Sequence, residues 1–376
     1  MKVLVAGDYA YSQRLADKIK KRQYDILFDD VKEIIETADV SIINYENPVL
    51  LEGGKYIPIS KQGPNLQSPP EAVDAISYAG FNAATLANNH ILDYGEEGCL
   101  DAIRTLENAG IETVGAGRDL SEAQKVLYKR IGNQTLAIIN CCEHEFSVAQ
   151  RDNAGANPLN PIQQFYSIQE AKHNADFVIV IVHGGHEHFQ LPSLRMQETY
   201  RFFIESGADA VVNHHQHCFS GYEFYKQKPI VYGVGNFCFD SRYRSSIWNS
   251  GYLAVLDFNK NNINLETIPY IQCDDKPGVF RIKDETDFNT QIANLNAIIV
   301  DKNQLTIKVK QYYESNSNIL ALMYEPYLNR YFRKLRSLKL IPSFISRRKW
   351  LALLNMTECE AHRDKVLYMM HQNIHK

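Results

Sequence analysis

The sequence predicts an α/β protein built as a four-layer α/β/β/α sandwich with a mostly helical appendage at its C-terminal end. Three observations carry that prediction. Short apolar runs alternate with helical stretches through the first half of the chain, the pattern of βα units. After residue 221 the strand-like runs follow one another without helices between them, so parallel crossovers give way to antiparallel hairpins. Several apolar runs also end in histidine, asparagine or an acid, which places these side chains together at the carboxyl edge of the sheets.

In order, residues 2–6 form a strand that delivers Asp8, and a helix follows over 14–21. Residues 40–43 form the next strand, which delivers Asn44, Tyr45, Glu46 and Asn47 before Pro48 stops it. Residues 52–70, rich in Gly, Pro and Ser, read as a long loop over the site, because structureless loops of that length are usually functional. Pro70 opens a helix that stops near Gly80. The strand 83–87 then runs into Asn88, Asn89 and His90, with Asp93 close behind. A helix over 97–109, a short strand over 111–115 and an apolar strand over 135–140 precede a second long loop, 143–160. Helix 161–174 feeds the strand 177–182, which ends in His183, and helix 193–206 feeds the strand that ends in His214, His215, Gln216 and His217. Hairpin strands follow at 222–225, 229–234, 252–258 and 263–270, the last two joined by the turn 259–262.

Read singly, the histidines after Val212 fit solvated loop residues as well as they fit ligands. Three strands that each end in nitrogen and oxygen donors are harder to obtain from ordinary surface composition. Asp8, Glu46, Asn89, His183, His215 and His217 supply oxygen and imidazole donors with no thiolate, a set suited to manganese, zinc, iron or magnesium. Two carboxylates brought to one strand-end cleft are costly to desolvate without a cation, which makes one or two divalent ions the expected cofactor. Cys218 is read as a packing residue.

The 376 residues suffice for one large domain with an appendage. A formal net charge of −4 supplies no global attraction to nucleic acid or an anionic membrane. Seven scattered cysteines point to a reducing compartment rather than a disulfide framework. No run approaches the roughly 18 apolar residues of a spanning helix, and the N-terminal apolar run stops at Gly7-Asp8. The expected location is cytoplasmic.

Gly7-Asp8 with Arg14, Asn44-Tyr45-Glu46, Asn88-Asn89-His90 with Asp93-Tyr94-Gly95, His183-Gly184-Gly185-His186-Glu187, His214-His215-Gln216-His217 and Gly235-Asn236-Phe237 with Phe239-Asp240 occur in one order. In this the chain resembles the CapA (PGA-cap) capsule-synthesis family of the calcineurin-like metallophosphoesterase superfamily, over about residues 1–275. The resemblance implies a metallophosphoesterase-like sandwich with Asp8, Glu46, Asn89, His183, His215 and His217 as metal ligands, Glu46 bridging. It implies His90 as the catalytic histidine beside the metals, and substrate contacts from Arg14, Asn44, Asn88, Glu187 and Asn236. Members are associated with poly-γ-glutamate and capsular polymers. The chain departs from the pattern at Ala10, where a ligand histidine is usual, at Gly184 and His188, where aromatics are usual, and at Asn213, where glycine is usual.

The expected division is a main domain over 1–275 and a mostly helical, basic appendage over 276–376. A helix is expected over 287–299, and helix again from Asn318 with breaks at Pro326 and Pro342. Residues 330–350 interleave Arg330, Arg333, Lys334, Arg336, Lys339, Arg347, Arg348 and Lys349 with large apolar residues. Such a segment either docks on the main domain or lies peripherally on an anionic membrane; nucleic acid is not an expected partner. Two function classes follow. One is a metal-dependent hydrolase of a phosphoester, or of an amide or ester of a surface polymer, acting on the polymer or a phosphorylated precursor. The other is a non-catalytic metal-binding assembly factor supporting a polymer synthase.

Overall fold

Alternate residues of the strand Lys2–Ala10 face two different cores, and that period-2 alternation sets the layers. Val3 and Val5 point to a cluster shared with Ile138, Ile181 and Val212 of a second sheet. Leu4 and Ala6 point the other way, to Leu27, Phe28, Val73 and Ile76 on helices. The second sheet does the same: Ile179 and Ile181 face the shared core, whereas Val178, Val180 and Val182 pack with Ile168 and Phe203 on its outer face. Each fully buried side chain of this size contributes about 1.5–3 kcal/mol, so a one-residue slip of either strand, which would exchange its two faces, is strongly disfavoured.

The chain is described here by a computed structural model, which covers residues 1–61, 63–241, 245–259, 262–324, 330–338, 340 and 346–374. Among these residues the first sheet runs in the order Val279–Arg281, Ile263–Gln272, Ser250–Phe258, Lys2–Ala10, Val40–Tyr45, Ala83–Thr85, Glu112–Val114, with Asn236–Phe239 also paired to Lys2–Ala10. The second runs Tyr222–Tyr225, Lys228–Val231, Ala210–His214, Phe177–His183, Gln134–Cys142, Leu127–Ile131. The strands that carry the site are parallel within each sheet, so their carboxyl ends emerge together. Helices Tyr24–Glu36, Glu71–Tyr78 and Gly95–Asn108 cover the outer face of the first sheet. Pro161–Asn174 and Leu194–Glu205 cover that of the second, and the four layers of the predicted sandwich are complete. Both of the latter helices are capped at their N-termini: the Asn160 side chain accepts from the Ile162 and Gln163 amides ahead of Pro161, and the Ser193 hydroxyl accepts from the Met196 amide.

Some boundaries differ from the sequence reading. Helix Tyr24–Glu36 was not expected, although it buries Leu27, Phe28, Val31 and Ile35 on one face. Strand Val279–Arg281 pairs with Ile263–Gln272, so the first sheet runs past residue 275. Helix Thr286–Val300 puts Phe288 and Ile292 into the core between the sheets. Helix Lys302–Tyr324 begins well before Asn318 and sends Leu305, Val309 and Tyr313 into the outer core of the second sheet. The start of the appendage is therefore docked by its apolar face. Pro326, Lys339, Pro342 and the centre of the 259–262 turn lie outside the described residues. No helix among the described residues is long and apolar enough to cross a membrane.

Candidate metal centre

Strand register brings the expected ligands to one rim. Asp8 stands opposite Asn44 on one neighbouring strand and Asn236 on the other, and His183 stands opposite His214 in the second sheet. The close approach of the Lys2–Ala10 strand to the 235 turn depends on Gly7, where a Cβ would fall 1.9 Å from the Gly235 carbonyl oxygen. Just past the strand ends, His215 (φ 89°) and His217 (φ 54°) adopt left-handed backbone conformations that bulky residues rarely hold. Such strain persists where the surroundings over-determine it, and here it aims both rings inward.

Four lone-pair donors gather around one point: His183 Nε2 lies 3.0 Å from Asn89 Oδ1, 3.1 Å from His215 Nδ1 and 3.7 Å from Glu46 Oε1. A second, poorer group adjoins it, with His217 Nδ1 3.5 Å from Asp8 Oδ2 and Asp8 Oδ1 3.9 Å from His183 Nδ1. Ala10 is buried nearby and offers no donor. Asp8, Glu46, His183, His215 and His217 are all buried.

Both carboxylate oxygens of Glu46 are buried with no hydrogen-bond partner. Burial, and then the neighbouring Asp8, pushes its carboxyl well above the usual range. Burial would also raise Asp8, but its bond to His217 and the charge of His183 hold it low. His217 is pushed up to about 10, with Asp8 and Glu46 outweighing its burial. A buried, unpartnered carboxylate ringed by imidazoles and an amide oxygen is the environment a divalent ion satisfies, and the residues present therefore fit one.

His90 stands beside this set and is held separately. Its Nδ1 lies 2.6 Å from Asp93 Oδ2, and because a carboxylate only accepts, that nitrogen carries the proton. Its Nε2 faces Glu46 Oε1 at 3.8 Å. Lys61, from the long loop 52–70, pairs with Asp93 and puts its Nζ 2.9 Å from His90 Nδ1. Burial, and next the Lys61 charge, lowers the His90 pKa, so the ring is predominantly neutral at pH 7.

The residues expected to contact substrate divide by placement. Asn44 donates to Asp8 Oδ1 at 2.6 Å and lies 3.2 Å from His183 Nδ1. Asn88 donates to the Tyr45 carbonyl and accepts from the His90 amide. Asn236 Oδ1 lies 2.9 Å from His217 Nδ1. These three orient candidate ligands and His90. Glu187 and His188 are exposed at the rim. Arg14 forms a bidentate pair with Asp240 and donates to the carbonyls of Cys273, Asp274 and Asp275, which commits its guanidinium to the protein. At Asn213 the amide donates to the Gly184, His214 and Tyr232 carbonyls and the oxygen accepts from Tyr200, so the side chain staples three loops that a glycine would leave untied. Gly184 leaves the space that Glu143 occupies; a Cβ there would meet Glu143 Cγ at 2.7 Å. Lys61, Glu143 and Glu145 were not singled out in the sequence, since nothing local marks them.

Fold and site together define a four-layer α/β/β/α sandwich with a set of candidate metal ligands at its strand ends. The family model for the bacterial capsule synthesis protein PGA_cap matches residues 2–241, and the chain belongs to that family. It is 31% identical over 242 residues to the capsule biosynthesis protein CapA of Bacillus anthracis, covering 63% of this chain and 59% of that protein. It is 30% identical over 237 residues to the PGA biosynthesis protein CapA of Bacillus subtilis (strain 168), covering 62% of each. The chain thus spans about three-fifths of the length of these relatives. A solved structure of a phosphatase from Mycoplasma pneumoniae is similar at a TM-score of 0.43 and 18% identity, covering 72% of this chain and 93% of that one. The four layers stand on the strand pairings rather than on that loose likeness.

Proposed function

We propose that this protein is a metal-dependent hydrolase acting on a phosphoester, or on an amide or ester of a surface polymer, in capsule or cell-surface polymer synthesis. The observation that carries this reading is the Glu46 carboxylate, buried, unpartnered and faced by His183 and His90. His183, His215, Asn89 and Glu46 would hold one divalent ion, and Asp8 and His217 with Glu46 a second, weaker one; manganese, zinc, iron and magnesium all suit these donors. Such an ion supplies Lewis acidity and water of lowered pKa. His90, oriented by Asp93, presents an unprotonated Nε2 to the centre, placed to take a proton from the attacking water and return it to the leaving group. Asn44, Asn88 and Asn236 hold the geometry, and Glu187 at the rim is placed to meet substrate. The names of the Bacillus relatives support a polymer, or its phosphorylated precursor, as the substrate class. A screen of chromogenic phosphoesters and of polymer amide and ester substrates with metal-loaded protein tests this. Metal-dependent turnover is expected, and its absence across all three bond classes would contradict it.

The missing donor at Ala10 favours a second reading, in which the protein is a non-catalytic assembly factor that keeps one ion. Stoichiometric metal binding without turnover is the result that would select it.

We further place the protein in the cytoplasm, at the inner face of an anionic membrane, through 330–350. Among the described residues of this segment Leu335, Leu338, Leu340 and Trp350 are exposed, interleaved with Arg330, Lys334, Arg347 and Arg348. Each base near an anionic surface is worth about 1 kcal/mol. Co-sedimentation of the full chain with anionic but not neutral vesicles is expected. Equal retention by both, or by neither, would contradict it.

A further inference from the structure

The helices Arg347–Glu358 and Glu360–Ile374 meet at Cys359 over the rim of the strand-end centre, well beyond the residues matched by the family model. Cys359 is fully buried, with its Sγ 3.8 Å from Glu145 Oε1. One turn on, His362 keeps a buried Nδ1 with no hydrogen-bond partner. One donor atom from each of Glu145, Cys359 and His362 lies within 4.8 Å of the other two. From these we infer a second divalent-metal site, of the zinc class, built by Glu145, Cys359 and His362 between the appendage and the main domain.

The donor chemistry supports a borderline ion. Thiolate, imidazole and carboxylate suit zinc or cobalt(II) and disfavour magnesium and calcium, which take oxygen. Charge also balances: a thiolate and a carboxylate neutralise a divalent ion, and a neutral imidazole completes three protein ligands. Binding forms the metal–sulfur bond and releases the thiol proton to solvent. With Zn–S about 2.3 Å and Zn–N about 2.0–2.1 Å, the donors would close slightly, leaving a fourth position for water.

The surroundings hold the two sides in place. His144, next to Glu145, bonds through Nδ1 and its amide to Glu360 between the two appendage ligands, at 2.6 and 2.9 Å. Arg195 joins Glu143 at 2.6 Å to Asp364 at 3.0 Å. A groove lined by His144, Glu145, Phe146, Leu354 and Arg363 opens beside the cluster and gives an ion access. His215 lies between the two sites, its Nδ1 toward His183 and its Nε2 3.7 Å from Glu145 Oε1. An ion here fastens the C-terminal helices one imidazole away from the strand-end centre.

Cobalt(II) added to the metal-free full chain tests this directly, because the ligand set at the strand ends contains no sulfur. A thiolate-to-cobalt charge-transfer band in the ultraviolet is expected, with zinc content falling by about one ion per chain in both Cys359→Ser and His362→Ala. The band should be lost in Cys359→Ser, lost or shifted in His362→Ala, and retained in Glu46→Gln, which separates this site from the strand-end centre. Circular dichroism confirms that the variants are folded, and His362→Ala leaves the thiol in place should Cys359→Ser fail to fold. No thiolate band in the wild-type chain, or a band that survives Cys359→Ser, would overturn the site.

Discussion

Asp93 Oδ2 sits 2.6 Å from His90 Nδ1 while the opposite ring nitrogen faces Glu46 at 3.8 Å, so one imidazole is anchored on one side and presented to the centre on the other. That arrangement separates holding metal from moving a proton. His90→Ala should keep its metal and lose turnover by about 10²–10⁴-fold. Metal content by elemental analysis, read beside the rate, checks it; equal metal loss in His90→Ala and His215→Ala would show that His90 is a ligand.

Lys61 carries the long loop onto that pair. Its side chain and that of Asp93 are almost wholly buried, at 3% and 0% exposure, so removing the cation leaves an uncompensated charge. Lys61→Met is expected to cost about 3–5 kcal/mol in urea unfolding and to open residues 52–61 to limited proteolysis. Unchanged stability would mean that the loop is not pinned by this contact.

Tyr200 donates to Asn213 Oδ1 at 2.6 Å beneath the histidine strand end, with both residues buried. Tyr200→Phe removes the donor and leaves the oxygen unsatisfied, so a loss of about 1–3 kcal/mol is expected. Thermal melting of the variant measures it.

Arg195 bridges Glu143 and Asp364 across the appendage boundary. Arg195→Met removes the main partner of the buried Glu143. Helices Arg347–Glu358 and Glu360–Ile374 should then be cut by protease at concentrations that leave the two sheets intact, and intact helices under those conditions would contradict the bridge.

The meeting of Asp8, His183, His215 and His217 at one rim was legible because a continuous apolar run marks a buried strand and so fixes which residues lie at its end. The amphipathic spacing of Leu27, Phe28, Val31 and Ile35 is a local signal of the same kind and marks the helix Tyr24–Glu36. Arg14 was not legible, since its partner Asp240 is 226 residues away and only folding brings the two together. The same holds for Glu145, Cys359 and His362: a lone cysteine and histidine on surface-length helices carry no periodic signal, and their meeting depends on how the appendage docks. Local pattern specifies edges of sheets well and contacts between distant segments hardly at all.

In the proposed function Glu46 and the residues around it hold a divalent ion, and metal content in a Cys359→Ser background tests this without interference from a sulfur-containing site. Purified protein should carry one or two ions per chain. After stripping, manganese at about a hundredfold excess over its dissociation constant should stabilise it by about 2.7 kcal/mol in a thermal-shift measurement. Both effects should disappear in Glu46→Gln. No bound metal together with no shift on adding manganese or zinc would contradict metal binding at Glu46.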